Sequence, residues 1–95
     1  DTIRTALERA GYDVRPIGRP VDLLVGGRGV NFLLEVKTAT GALRQSQRDF
    51  MRTWRGQVAV VRTVEEAFDA CGRALINQWL GAAGAASVQR LRRTE

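Results

Sequence analysis

Two carboxylates and a lysine lie close together in the sequence, on two neighbouring apolar segments. Asp22 lies within residues 21–25, and Glu35 and Lys37 end the apolar segment 31–37. Charged groups at the end of a buried strand are costly unless they are paired or bind something. Lys37 is also the one lysine among 15 cationic residues, the other 14 being arginines. Since lysine differs from arginine in its compact ammonium and adjustable pKa, this choice indicates a specific role at position 37.

A hairpin is predicted to bring these three residues together. Residues 21–25 and 30–37 form antiparallel strands, because the glycines of segment 26–29 supply the positive φ angles of a tight turn. With Gly27-Arg28 as the two-residue loop, Asp22 shares a sheet face with Glu35 as its diagonal neighbour, about 7–8 Å away. A slip of one residue would place Asp22 on the opposite face. The loop therefore favours, without proving, a convergent cluster.

The residue types limit the chemistry that this cluster could perform. The chain has no histidine and one cysteine, which excludes an internal disulfide, a zinc site built from cysteine and histidine, and Ser-His or Cys-His catalysis within the chain. A metal would be held by oxygen, which favours Mg²⁺ or Mn²⁺. Two carboxylates and a lysine suit metal-dependent hydrolysis. A structural ion-pair cluster of the same three residues is an equally good interpretation at this point.

Composition indicates one globular domain with an anionic partner. The 95 residues carry a net charge of +5, with 44% apolar and 26% charged residues. A pI of about 11.0 suits nucleic acid, although an arginine-rich composition without a partner would give the same value. No apolar run approaches the roughly 20 residues of a membrane span. Because no signal peptide is visible, we expect a cytoplasmic protein without membrane contact.

Hydrophobic periodicity predicts an α/β fold with the element order α-β-β-β-α-β-α. The first helix ends at Gly11, and a capping box at Thr63 and Glu66 opens the last helix, which Gly72 ends or weakens. A buried strand over 57–62 is expected to pair in parallel with the strand 30–37 through a helical crossover. The predicted elements between these helices are strands over 12–15, 21–25 and 30–37, a helix over 43–55 and a strand over 57–62.

The helix over 43–55 carries two features of functional interest. Gln47 lies on its apolar stripe, so its amide either points at the charge cluster or bonds to backbone or water at the edge of the stripe. A flanking row of arginines, spaced by four, four and three residues, comprises Arg44, Arg48, Arg52 and Arg55. Like charges at this spacing repel, and a polyanion would relieve the repulsion. The alternative is a solvated basic face.

The motif spacing resembles a known nuclease signature. Pro20-Val21-Asp22, followed after twelve residues by Glu35-Val36-Lys37, is similar to the PD-(D/E)xK signature, although the proline is displaced by one position. The predicted element order matches the core of that superfamily. Segments 21–26, 33–37, 54–58 and 61–67, with Gln47 followed by Phe50, look like the small stand-alone VRR-NUC nucleases of phage and bacteria. The likeness covers roughly residues 3–71. It predicts a VRR-NUC-like nuclease domain over residues 1–71, followed over 72–95 by a helical extension with a basic tail.

This resemblance implies a restriction-endonuclease-like core, a mixed four-stranded sheet flanked by helices. It also implies that Asp22, Glu35 and the backbone carbonyl of Val36 bind Mg²⁺ or Mn²⁺. Lys37 would position the attacking water, and Gln47 would support the site or the scissile phosphate. Many relatives carry a further glutamate near the metal on the first helix, for which Glu8 is a candidate, unless the equivalent lies upstream of Asp1.

The implied function is a metal-dependent DNA endonuclease of bacterial or phage origin. Such enzymes cut branched DNA, including four-way (Holliday) junctions and flaps, and the compact members act as homodimers. The four arginines of the helix 43–55 are the candidate DNA contacts. The alternative function is a non-catalytic nucleic-acid-binding module on the same fold.

Overall fold

The computed structural model describes the backbone of residues 2–94 and the side chains of residues 2–81. Within this range the elements follow the predicted order α-β-β-β-α-β-α. They are α1 (Thr2–Arg9), β1 (Asp13–Pro16), β2 (Leu23–Gly27), β3 (Val30–Val36), α2 (Gln45–Thr53), β4 (Val58–Val61) and α3 (Val64–Thr94).

The strands form one mixed sheet in the order β1-β2-β3-β4. β1 pairs with β2, and β2 with β3, in antiparallel orientation. β3 and β4 are parallel, with Leu34 opposite Ala59, so the chain crosses between them through α2. The prediction of an α/β fold with a mixed four-stranded sheet flanked by helices is confirmed.

The predicted loop of the β2–β3 hairpin is wrong by one residue. Gly27 pairs with Val30, so the loop is Arg28-Gly29, with φ angles of 54° and 78°. Arg28 adopts the left-handed conformation. Its guanidinium lies over the Tyr12 ring, 5.2 Å from the centroid, and donates to the Tyr12 hydroxyl at 2.8 Å. A glycine at the second loop position suits a primed turn.

This loop shifts the strand register by two residues relative to the prediction. Leu23 pairs with Leu34, and continuing the register places Asp22 beside Glu35 rather than diagonal to it. An even shift leaves every side chain on its predicted face, because strand side chains alternate with a period of two. The error in the loop therefore does not remove Asp22 from the charge cluster.

The hydrophobic core lies on the sheet face covered by α1 and α3. Val30, Phe32 and Leu34 alternate along β3 and are buried there. Full burial of each such side chain contributes about 1.5–3 kcal/mol. Cys71 is a buried core residue, as its place on the apolar face of α3 predicts. The core is completed by Ile3, Leu7, Val14, Leu23, Val25, Val61, Ala67, Ala70 and Ala74.

α2 contacts the opposite face of the sheet through its Gln47 side chain. The helix is shorter than the predicted range of 43–55. The backbone of Trp54 is extended, with φ −74° and ψ 126°, so the helix ends at Thr53. Phe50 and Trp54 stack with their ring centroids 5.3 Å apart, and Trp54 remains 46% exposed. The apolar stripe of this helix is therefore only partly buried.

α3 continues through Gly72, so the predicted domain boundary between residues 71 and 72 falls inside one helix. Its turns beyond the core expose large apolar side chains, which are Leu75, Ile76, Trp79 and Leu80. The side chains of the basic tail, including Arg90, lie outside the described residues. Among the described residues, no helix combines the length and apolar content that crossing a membrane would require.

Candidate active site

Glu35 is the centre of the charge cluster at the end of β3. It is 1% exposed, and both carboxylate oxygens are used. Oε1 accepts the backbone N–H of Asp22 at 3.2 Å. Oε2 accepts the Gln47 amide at 2.8 Å and lies 3.0 Å from the Lys37 ammonium. A buried carboxylate requires such donors, because leaving its charge unpaired would cost several kcal/mol.

Asp22 lies just before β2 and faces the last peptide of β3. Its Oδ2 accepts the Val36 N–H at 2.8 Å, while its own N–H binds Glu35. These two hydrogen bonds join the residue before β2 to the end of β3, at the predicted position of the cluster. Among the described residues, none donates a hydrogen bond to Asp22 Oδ1. One carboxylate oxygen of Asp22 is therefore available to a ligand.

Lys37 follows β3 and is held at both its backbone and its side chain. Its N–H donates to the Val61 carbonyl of β4 at 3.0 Å, and its ammonium pairs with Glu35. The side chain is 17% exposed. The structure thus brings together the three residues that the sequence singles out, with the ammonium close to the surface.

Gln47 is 2% exposed and bridges α2 to the sheet. Its Nε2 donates to Glu35, and its Oε1 accepts the Arg44 N–H at 3.0 Å, which satisfies one free donor at the start of the helix. Of the two interpretations of this amide, the one that points it at the charge cluster agrees with the structure. An amide on an otherwise apolar stripe was the sequence signal for this contact.

α2 carries only part of the arginine row that was predicted for a helix over 43–55. Arg48 donates to the Leu43 carbonyl at 2.6 Å and to Gln45 at 3.1 Å, and Arg52 pairs with Asp49 at 3.1 Å. Arg55 lies beyond the end of α2, beside a groove near the start of β4. The prediction that Arg55 continues the row on this helix is therefore wrong, because the helix stops at Thr53. Arg44, Arg48, Arg52 and Arg55 are all exposed.

Arg62 is a residue near the site that sequence reasoning missed. Its guanidinium donates to the carbonyls of Thr38 and Gly41, in the loop that follows Lys37. No local sequence pattern predicts these two hydrogen bonds, because they depend on the parallel pairing of β3 with β4. They join residues 24 and 21 positions apart in the sequence.

The oxygen donors of the site suit a small hard cation. Among the described residues, no three acidic, cysteine or histidine side chains come together. Glu8 therefore does not join Asp22 and Glu35; it is exposed on α1, 3.7 Å from Arg4. Mg²⁺ is commonly bound by one or two carboxylates and keeps several waters. Asp22, Glu35 and a nearby backbone carbonyl fit that donor set.

Comparisons of this chain with protein-family models, with curated proteins and with solved structures give no match.

Proposed function

We propose that this protein is a metal-dependent DNA endonuclease with a PD-(D/E)xK nuclease core. The observation that carries the proposal is the hydrogen-bonded convergence of Asp22, Glu35 and Lys37 at one end of the sheet. The motif spacing, the order of the elements and the mixed sheet support it.

Each residue of the cluster has a proposed role that its contacts support. Asp22 and Glu35, with the carbonyl of Val36, would hold Mg²⁺ or Mn²⁺. When bound, such an ion polarises a phosphoryl oxygen and lowers the pKa of bound water. The Lys37 ammonium, held on Glu35, positions the attacking water and offsets negative charge that develops at the phosphate. Gln47 fixes the orientation of the Glu35 carboxylate.

A purely structural ion-pair cluster is the competing interpretation of the same contacts. A structural cluster would use its polar atoms internally, whereas Asp22 Oδ1 accepts no hydrogen bond from a described residue. Lys37 also keeps 17% of its side chain exposed, next to that oxygen-rich end of the sheet. Both features support a site that receives a ligand.

The substrate and assembly follow from the resemblance and from charge. A net charge of +5 and the exposed arginines of α2 support a polyanionic substrate. Branched DNA, such as a four-way junction or a flap, is the proposed substrate, and a homodimer would place one site on each of two strands. A cytoplasmic protein of bacterial or phage origin is part of the same proposal.

The decisive experiment is a panel of duplex, flap and four-way DNA substrates, assayed with Mg²⁺, with Mn²⁺ and with EDTA. We expect metal-dependent cleavage that is lost in Lys37→Ala, while DNA binding by that variant persists. Lys37→Arg should also be inactive, since the planar guanidinium cannot replace a compact ammonium. Arg4→Ala on α1 is the control for loss of one positive charge.

The same panel tests the second candidate function, a non-catalytic nucleic-acid-binding module. The basic surface favours that candidate as well, so binding alone does not distinguish the two. Salt-dependent binding without cleavage in either metal would favour the binding module. Binding that is insensitive to salt would contradict both.

A further inference from the structure

Arg62 connects the end of β4 to the loop that leaves the proposed catalytic strand. One guanidinium nitrogen, Nη1, donates to the Thr38 carbonyl at 2.5 Å and to the Gly41 carbonyl at 2.7 Å. The side chain is half-buried. A charged donor shared by two carbonyls makes a stronger link than neutral hydrogen bonds would.

The loop over residues 38–41 lies between two groups of the site, Lys37 and Gln47. It begins directly after Lys37 and leads to Arg44, whose N–H binds Gln47. Lys37 and Gln47 both contact Oε2 of Glu35. The loop is closed by a bond from the Gly41 N–H to the Thr38 carbonyl at 3.1 Å, and a Cβ at position 41 would lie only 2.9 Å from the Thr38 hydroxyl. The turn is therefore tight, and Arg62 holds both of its ends.

The base of the Arg62 side chain is itself fixed. The Arg62 N–H donates to Glu66 at 2.7 Å, and the Glu66 N–H donates to the Thr63 hydroxyl at 3.1 Å at the start of α3. The residue before it, Val61, accepts the Lys37 N–H. Arg62 thus joins the cap of α3, the end of β4 and the loop after Lys37.

We propose that Arg62 is a positioning residue that holds this loop, and through it sets Lys37 and Gln47 on Glu35. The role rests on the nuclease function proposed above. Among the described residues, the Arg62 side chain donates only to the loop carbonyls and not to Asp22, Glu35, Lys37 or Gln47. Its effect on cleavage is therefore exerted through the loop and not through the phosphate.

The test compares Arg62→Met and Arg62→Lys with the control Arg4→Met on α1, which also loses one half-buried arginine. In Arg62→Met we expect kcat to fall about 10- to 100-fold, the range for loss of a group that orients a ligand, with KM unchanged. Arg62→Lys should recover part of the rate, because an ammonium can donate to both carbonyls. A rise in KM with kcat unchanged would instead show direct phosphate contact and overturn the proposal.

Hydrogen exchange supplies a readout that does not depend on cleavage. Peptides covering residues 38–47 should exchange faster in Arg62→Met than in the wild type or in Arg4→Met, while the α1 and β2 peptides stay unchanged. Unchanged exchange in this loop overturns the proposal. If the wild type cleaves none of the substrates, the proposed nuclease function fails, and the exchange result alone decides whether Arg62 holds the loop. Arg62→Lys serves for both measurements if Arg62→Met does not fold.

Discussion

The Gln47 amide donates to Oε2 of Glu35 at 2.8 Å, and these two residues are the buried polar residues of the described chain. The bond ties α2 to the sheet face opposite the main core. Through this bond the position of α2 and the orientation of the Glu35 carboxylate depend on each other. The same oxygen, Oε2, also contacts Lys37.

Gln47→Ala should lower the free energy of unfolding by about 1–3 kcal/mol, the cost of leaving buried partners without a hydrogen bond. The substitution removes a donor from Glu35 and the acceptor of the Arg44 N–H. Urea unfolding followed by circular dichroism measures the change. Gln45→Ala, an exposed amide on the same helix, is the matched control and should stay within about 0.5 kcal/mol of the wild type. Equal stability of the two variants would contradict the importance of the Gln47 bridge.

Asp22→Asn separates the structural role of Asp22 from its proposed metal role. The asparagine oxygen can still accept the Val36 N–H, so we expect stability to change by less than about 1 kcal/mol. Loss of one carboxylate charge should weaken Mn²⁺ binding about tenfold or more. Isothermal titration with Mn²⁺ and a parallel unfolding curve give both values.

Asp13→Asn at the start of β1 is the control for Asp22→Asn, since it removes one exposed carboxylate away from the cluster. It should leave Mn²⁺ affinity unchanged. If Asp22→Asn binds Mn²⁺ as tightly as the wild type, Asp22 is not a metal ligand.

The double variant Arg44→Ala/Arg48→Ala should weaken DNA binding and reduce the slope of log K against log salt by about 2, roughly one for each lost phosphate contact. Fluorescence anisotropy with a labelled DNA at several salt concentrations gives this slope. The double variant Arg4→Ala/Arg9→Ala removes the same charge from α1 and should leave the slope unchanged. Equal slopes for the two double variants would show that α2 has no special part in DNA binding.

Stability should decline above about pH 9 because of Cys71. Burial raises the pKa of the Cys71 thiol above its ordinary value of 9.0. The unfolded state then loses its proton at a lower pH than the folded state does. The resulting stabilisation is fully present below the unfolded pKa and is lost as pH rises through the folded pKa. Burial also raises the pKa of the Tyr12 hydroxyl, which acts in the same direction at higher pH.

Cys71→Ala tests this dependence, with urea unfolding at pH 8 and pH 10.5. The variant should be less stable at pH 8, because it leaves a small cavity, and should lose less stability on going to pH 10.5 than the wild type. The wild-type thiol should also react slowly with a thiol reagent at pH 8 until the protein is unfolded. An equal pH dependence in the two proteins would show that Cys71 does not contribute.

The element order and the buried faces were predictable from local sequence. Alternation of Val30, Phe32 and Leu34 and the glycines of segment 26–29 specify a hairpin with one apolar face, because side-chain direction in a strand depends only on position. The grouping of Asp22, Glu35 and Lys37 followed from the same alternation. The two-residue error in register does not affect it, because an even shift leaves each side chain on the same face. The amide of Gln47 was recognisable because it interrupts an apolar stripe.

Tertiary contacts decided the features that local sequence left open. Three of the four residues 26–29 are glycines, so several loops were sterically allowed, and the contact of Arg28 with Tyr12, 16 residues away, accompanies the loop that forms. The hydrogen bonds from Arg62 to the Thr38 and Gly41 carbonyls form only because parallel pairing brings the end of β4 beside the loop after Lys37. Such contacts join residues that are distant along the chain, so neither periodicity nor turn chemistry carries a signal for them.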